Sequence, residues 1–77
     1  MIEKKLNTCF YKIFKKNKIP KNIQNLELRT FEPWDSLGHI NLMLEIEKKF
    51  ILKFSMKEMS ALRTYKKLLS RLKINKK

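Results

Sequence analysis

The chain has 77 residues, with 19 lysines and arginines against 7 acidic residues, so its formal net charge is +12. A chain this short is expected to form a single domain over residues 1–77 and to bury about 60–65% of its unfolded surface, which leaves little room for the walled pocket of an enzyme. One glycine, two prolines and one cysteine argue against a turn-rich β-barrel and a disulfide scaffold, and no apolar run approaches the ~20 residues of a membrane span.

The first predicted element is an amphipathic helix over residues 2–16. At about 100° per residue, six side chains share an arc of about 140° from which the lysines are excluded. These six are Ile2, Leu6, Cys9, Phe10, Ile13 and Phe14. Cys9 is therefore expected to be a buried structural cysteine. The helix should end near Asn17, because Pro20 disfavours helix in the residue before it.

A long loop, residues 17–35, precedes a second predicted helix over 36–50, with Asp35 as its N-cap. The apolar surface of this helix is wider than one buried side requires. The residues that widen it, here called the apolar strip, are Leu37, Ile40 and Leu44. Either the long loop covers the apolar strip or a partner does, and the sequence leaves both open.

Two further helices are indicated by capping signals near the end of the chain. Ser55 and Glu58 have the spacing of a capping box and predict a short third helix. Thr64 can cap a last helix with one apolar face, which consists of Tyr65, Leu68, Leu69 and Leu72. The pattern predicts an all-α fold: a small four-helix bundle with a long loop after the first helix and a short third helix. Lys76 and Lys77 are expected to fray.

The positive charge lies at the two flanks. Residues 1–34 carry eight cations and three acids, a net of +5; residues 35–60 carry four of each; residues 61–77 carry seven cations and no acid. Such flanks could contact nucleic acid or an anionic membrane. A basic helical nucleic-acid-binding domain is therefore the alternative function. Base readout favours arginine, however, and 16 of the 19 cations are lysine.

The segment 34–40, with the sequence WDSLGHI, contains the only Trp, Asp, Gly and His of the chain. A helix that starts here brings unpaired backbone N–H groups and the positive end of its dipole close to Ser36, where a phosphate ester would be stabilised. Taken alone, the Asp-Ser pair is better explained as a plain helix cap. A hydrolase built on Ser36 and His39 is disfavoured, because Asp35 is bonded directly to the serine and cannot orient the imidazole.

Together with its spacing, this motif resembles the acyl carrier protein family. Asp-Ser-Leu follows a first helix and a long loop, an aromatic residue stands fourteen positions after the serine, and a short helix precedes a last helix that starts at a threonine. The matching positions are Asp35-Ser36-Leu37, Leu42, the 45–50 stretch EIEKKF, Phe54-Ser55, Glu58, Leu62-Arg63-Thr64 and Leu72. The resemblance implies a four-helix bundle of acyl-carrier type.

The resemblance also implies the function. Ser36 would carry 4′-phosphopantetheine, donated from coenzyme A by a separate phosphopantetheinyl transferase that recognises Asp35 and Leu37. The chain would not be an enzyme: its prosthetic thiol would carry an acyl or related intermediate as a thioester in fatty-acid, polyketide or related biosynthesis. The candidates to line a space for the acyl chain are Met43, Ile46, Phe54, Met59 and Leu62.

Partner enzymes that load and accept the acyl group would dock on the second helix. The expected docking residues are Leu37, Ile40, Asn41, Leu44, Glu45 and Lys48, with Glu45 taken as exposed. Family members are mostly acidic on this helix, whereas Lys48 and Lys49 offset the acids here, so we expect a dedicated pathway enzyme as partner. We further expect a monomer without a membrane span or a specific nucleic-acid partner. The single cysteine favours a reducing compartment and no signal-peptide segment follows the start of the sequence, so we also expect a cytoplasmic location.

Overall fold

Four α-helices follow one another in the part of the chain that the computed structural model describes, residues 2–15 and 18–74. They are α1 (Ile2–Phe14), α2 (Ser36–Phe50), α3 (Met56–Ala61) and α4 (Tyr65–Ile74), and a 3₁₀ helix spans Ile23–Asn25 in the long loop. These residues contain two isolated β-bridges but no strand. The predicted all-α fold with a short third helix is confirmed. No helix within the described ranges has the length and apolar character needed to cross a membrane.

Helix α1 uses the face that its periodicity predicts. Leu6, Cys9, Phe10 and Phe14 are buried, whereas the described lysines of this helix are exposed. The helix ends two residues earlier than predicted, because Lys15 has a φ of 66° and this left-handed backbone terminates a helix. Residues 16–17, and the tail lysines expected to fray, lie outside the described residues.

An aromatic cluster forms the centre of the core. The ring centroids of Phe10 and Trp34 lie 5.2 Å apart in an edge-to-face arrangement, and those of Phe10 and Tyr65 lie 5.4 Å apart. Trp34 is fully buried and comes from the last turn of the long loop. The cluster thus joins α1, the loop and the start of α4, and edge-to-face pairs stabilise beyond their buried area.

The long loop packs toward α4. The backbone N–H of Leu28 donates to the carbonyl of Arg63 at 2.8 Å, and the N–H of Tyr65 donates to the carbonyl of Leu26 at 3.0 Å. This path leaves the apolar strip of α2 uncovered by the loop. The exposed fractions of its residues are 68% for Leu37, 50% for Ile40 and 51% for Leu44.

The predicted helix caps are all formed. A carboxylate oxygen of Asp35 accepts from the N–H of Gly38 at 2.8 Å. Ser55 and Glu58 form the complete capping box at the start of α3. The hydroxyl of Thr64 accepts from the backbone N–H three residues later at 3.1 Å. Each cap satisfies a backbone donor that the first helical turn leaves without a partner.

Helix α3 contributes no residue to the buried core. Met59, which is partly buried, packs against the core, and polar contacts add to the attachment of the helix. The Nε–H of Arg71 in α4 donates to the carboxylate of Glu58 at 2.5 Å, and this bond, reinforced by the N–H of Ser55, lowers the pKa of the Glu58 carboxyl below its ordinary value. The Arg71 guanidinium also lies over the ring of Phe54, 5.5 Å from its centroid.

Helix α2 ends at a residue in an unfavourable conformation. Ile51 has φ 52° and ψ 60° and is 89% exposed. A left-handed backbone costs an L-residue roughly 1–2 kcal/mol, and glycine avoids that cost although it gains entropy when unfolded. We expect Ile51→Gly to raise the free energy of unfolding by about 0.5–1 kcal/mol, measured by urea denaturation. Ile51→Ala, which keeps a Cβ, is the control and should raise the free energy of unfolding by less. A destabilised glycine variant would contradict this prediction.

Candidate functional site at the start of helix α2

Ser36 is the first residue of α2, and its side chain is exposed. Its hydroxyl makes no hydrogen bond with any residue in the described ranges. The Asp35 carboxylate caps the N–H of Gly38, whereas the N–H groups of Ser36 and Leu37 have no partner within the helix because they belong to its first turn. The site therefore combines an accessible hydroxyl with free donors and the positive end of a fifteen-residue helix.

A largely apolar groove of about 600 Å³ opens beside this serine. Helix α2 contributes one side, α3 another, and the long loop and the connection between α3 and α4 complete it. The residues that line the groove are Leu28, Ser36, His39, Ile40, Met56, Met59, Ser60 and Arg63. Met56 is 83% exposed although apolar. A chain attached to the Ser36 oxygen can therefore lie against apolar side chains without entering the core.

The two neighbours of Ser36 face a different part of the surface. Asp35 and Leu37 line a second cleft of about 380 Å³, whose other walls include Lys15 and Lys18. Gly38 also lines this cleft. The structure thus separates the predicted attachment residue, which lines the groove next to α3, from the two residues predicted to be recognised by a transferase, which lie toward α1.

Gly38 is required by a close approach of the loop and α1. A Cβ at this position would lie 2.6 Å from the carbonyl oxygen of Pro33 and 2.9 Å from a ring carbon of Phe14. Both distances are shorter than side-chain carbons tolerate. The glycine therefore lets the first turn of α2 sit directly against the loop, which fixes the position of Ser36 relative to the rest of the fold.

His39 connects three segments around the site. The Nε1–H of Trp34 donates to His39 Nδ1 at 3.0 Å, and His39 Nε2 lies 2.6 Å from the carbonyl oxygen of Met59. Since a carbonyl only accepts, Nε2 carries the proton and Nδ1 is the acceptor. Both ring nitrogens are occupied, so this imidazole has no nitrogen available to activate Ser36. The sequence showed His39 beside the serine but gave no sign of its bond to α3.

The residues predicted to line an acyl chain separate into two groups. Met43 and Ile46 are fully buried and belong to the core. Phe54 is buried as well, and Leu62 is half-buried against the core. Only Met59 of the five lines the groove beside Ser36. For Met43 and Ile46, ordinary core packing is the explanation, and the groove takes its remaining apolar walls from residues that the sequence did not single out.

The predicted docking face is largely exposed, with one correction. Asn41 and Lys48 are exposed, and so is the whole apolar strip. Glu45, which we expected to be exposed, is only 9% exposed. Its carboxylate faces α1 and lies 3.5 Å from the ammonium of Lys12. The expectation was wrong because helix periodicity alone does not show that α1 covers this side of α2.

Cys9 is fully buried, as its place on the apolar face of α1 predicts. Burial is the main reason that its pKa rises to about 11, and the nearby carboxylate of Glu45 adds to the effect. The thiol is thus protonated at neutral pH and shielded from reagents. It has neither the thiolate character nor the access that a reactive cysteine needs.

Comparisons with known proteins add no relative. No protein-family model matches the chain. No curated protein and no solved structure matches it significantly either.

Proposed function

We propose that this chain is an acyl carrier protein whose Ser36 bears 4′-phosphopantetheine, and that its four helices form a bundle of the acyl-carrier type. The observation that carries the proposal is the exposed, unpartnered hydroxyl of Ser36 at the capped start of α2, beside an apolar groove. Asp35 and Leu37 flank it as they do in that family, and helix order and loop length agree with the resemblance.

The proposed modification has a simple balance of bonds. The Ser36 oxygen attacks a phosphorus of the coenzyme A pyrophosphate, a new oxygen–phosphorus bond forms, and the old pyrophosphate bond breaks. Adenosine 3′,5′-bisphosphate leaves, and the hydroxyl proton passes to the transferase. The product is an anionic phosphodiester at the start of α2, where the helix dipole contributes about 0.3–1 kcal/mol of stabilisation. The thiol at the far end of the arm would carry the cargo as a thioester.

The test of this proposal is transfer from coenzyme A. We expect the wild-type chain, incubated with coenzyme A and a promiscuous phosphopantetheinyl transferase, to gain the mass of one phosphopantetheine group. Intact-mass spectrometry measures the gain, and omission of coenzyme A is the control. A chain that folds but gains no mass under conditions that load a standard carrier would contradict the proposal.

The proposed partners are biosynthetic enzymes of a dedicated pathway in the cytoplasm, which meet a monomeric carrier on α2. The apolar strip supplies a contact surface that no described residue covers. Around it, Lys48 and Lys49 are exposed, while the Glu45 carboxylate is buried against Lys12. The burial of Glu45 removes one acid from the docking face, so this surface is even less suited to a basic partner than the sequence indicated.

This surface charge predicts how the chain meets a ketosynthase with a basic docking site. We expect weak binding by wild type, and about ten-fold tighter binding at low salt after Lys48→Glu with Lys49→Glu, since complementary charge strengthens association. The matched control is Lys66→Glu with Lys67→Glu, which changes the net charge equally on α4 and should change affinity far less. Strong, salt-sensitive binding by wild type would count against the proposed dedicated partner.

A further inference from the structure

Some polar side chains of the groove beside Ser36 already have hydrogen-bond partners, and others have none in the described part of the chain. The polar atoms of His39 are both occupied, and the hydroxyl of Ser60 lies 3.2 Å from the carbonyl oxygen of Met56, to which it donates. The Ser36 hydroxyl and the Arg63 guanidinium, in contrast, make no hydrogen bond or ion pair with residues 2–15 and 18–74. No acidic side chain lines the groove. An anion in this groove would therefore meet one free guanidinium and no opposing carboxylate.

Arg63 extends from a fixed point of the backbone. Its N–H donates to the carbonyl of Ala61 at 2.9 Å, and its carbonyl accepts from the N–H of Leu28 at 2.8 Å. The other two arginines are placed differently. Arg71 is paired with Glu58, and Arg29 is exposed on the loop and does not line the groove.

We infer that Arg63 binds the phosphodiester of the prosthetic group on Ser36 and thereby lays the arm along the groove. The inference rests on the proposed function, which places a phosphodiester on the very residue that shares this groove with Arg63. The planar guanidinium can donate to two phosphate oxygens at once, which fixes orientation as well as position. Arg63 is thus a positioning residue for the arm, and the apolar walls accommodate what the arm carries.

An anionic oxygen pair in this groove could also come from a carboxylate at the end of the cargo. The phosphodiester is favoured because it is present whatever the cargo is. The two sources differ in when they appear: the phosphodiester arrives with the arm, whereas a cargo carboxylate arrives only on loading.

The NMR signals of the side-chain Nε–Hε groups of the three arginines provide a direct test. We expect the Arg63 signal to shift when the apo form becomes the phosphopantetheine form, while Arg71, held by Glu58, and Arg29 keep their positions. An unmoved Arg63 signal in the phosphopantetheine form overturns the inference. So does a shift that appears only after loading a carboxy-terminated acyl group and not after an octanoyl group of equal length.

A variant pair tests the effect on the arm. In the phosphopantetheine form of Arg63→Gln, we expect the isotope-labelled arm to become flexible, with NMR order parameters below about 0.6. Lys66→Gln, which removes a charge from an exposed residue that does not line the groove, should leave the arm as ordered as in wild type. Equal order in both variants overturns the inference.

The failure of the inference and the failure of the proposed function can be told apart. If the transferase adds no group to wild type, the carrier function fails. Suppose instead that it adds the group, that the Arg63 signal does not shift and that the arm is as ordered in Arg63→Gln as in Lys66→Gln. The carrier function then stands, and only the role of Arg63 fails. Circular dichroism of Arg63→Gln confirms folding, which is expected to persist because the hydrogen bonds of Arg63 within the protein are made by its backbone.

Discussion

Ser36→Ala is expected to abolish the mass gain from coenzyme A completely while leaving the fold intact. The reason for the complete loss is chemical: the transferred phosphorus must bond to an oxygen at this position, and alanine has none. The reason for the intact fold is structural. The Ser36 hydroxyl makes no hydrogen bond within the described ranges, and alanine is a better helix former than serine, so the free energy of unfolding should change by less than about 0.5 kcal/mol.

Ser60→Ala is the matched control for this experiment. Ser60 lines the same groove and is also exposed, but its hydroxyl donates to the carbonyl of Met56 and it belongs to α3. We expect Ser60→Ala to gain the same mass as wild type, with circular dichroism confirming that both variants are folded. A mass gain that survives in Ser36→Ala would show that Ser36 is not the attachment residue. A mass gain that disappears in Ser60→Ala would likewise contradict the assignment to Ser36.

The helices and their caps could be predicted because their signals are local. The face of α1 follows from a 3.6-residue period, and Asp35, Ser55 and Thr64 each bond to a backbone N–H three residues ahead. Ser36 could be singled out because the tripeptide Asp35-Ser36-Leu37 and its spacing along the chain can both be read from the sequence. None of these features depends on where another helix packs.

The features that could not be predicted from the sequence are contacts between distant segments of the chain. The ion pair between buried Glu45 and exposed Lys12 exists because α1 packs beside α2, which no periodicity reveals. The groove likewise combines Leu28 from the loop, Met56 from α3 and Arg63 from the connection to α4. No sequence pattern places these three residues together. Their meeting depends on the loop turning toward α4 through backbone hydrogen bonds, and the side-chain pattern of the loop does not encode that path.

His39→Leu is expected to lower the free energy of unfolding by about 2–4 kcal/mol. Leucine fills a similar volume, but it leaves the Nε1–H of fully buried Trp34 and the part-buried carbonyl of Met59 without their partner. A buried polar group that loses its partner costs about 1–3 kcal/mol, and the less buried carbonyl adds a smaller amount. A chain of 77 residues is expected to have a stability of only about 4–12 kcal/mol. The loss is therefore a large part of the total, and a shift in the urea midpoint should measure it.

A double-mutant cycle with Trp34→Phe separates the two bonds of His39. Trp34→Phe removes the donor to Nδ1 together with one ring of the buried indole, and it leaves the bond from His39 to Met59 in place. The variant with both substitutions should be more stable than the sum of the single effects predicts, by about 1–2 kcal/mol. Hydrogen exchange should distinguish the variants further. Amides of α3 should exchange faster in His39→Leu, which frees the Met59 carbonyl, than in Trp34→Phe, which keeps that bond. Effects that add within about 0.5 kcal/mol would mean that the indole–imidazole bond does not couple the loop to α2. Equal exchange in both variants would show that His39 does not hold α3, and with it the wall of the groove, against the start of α2.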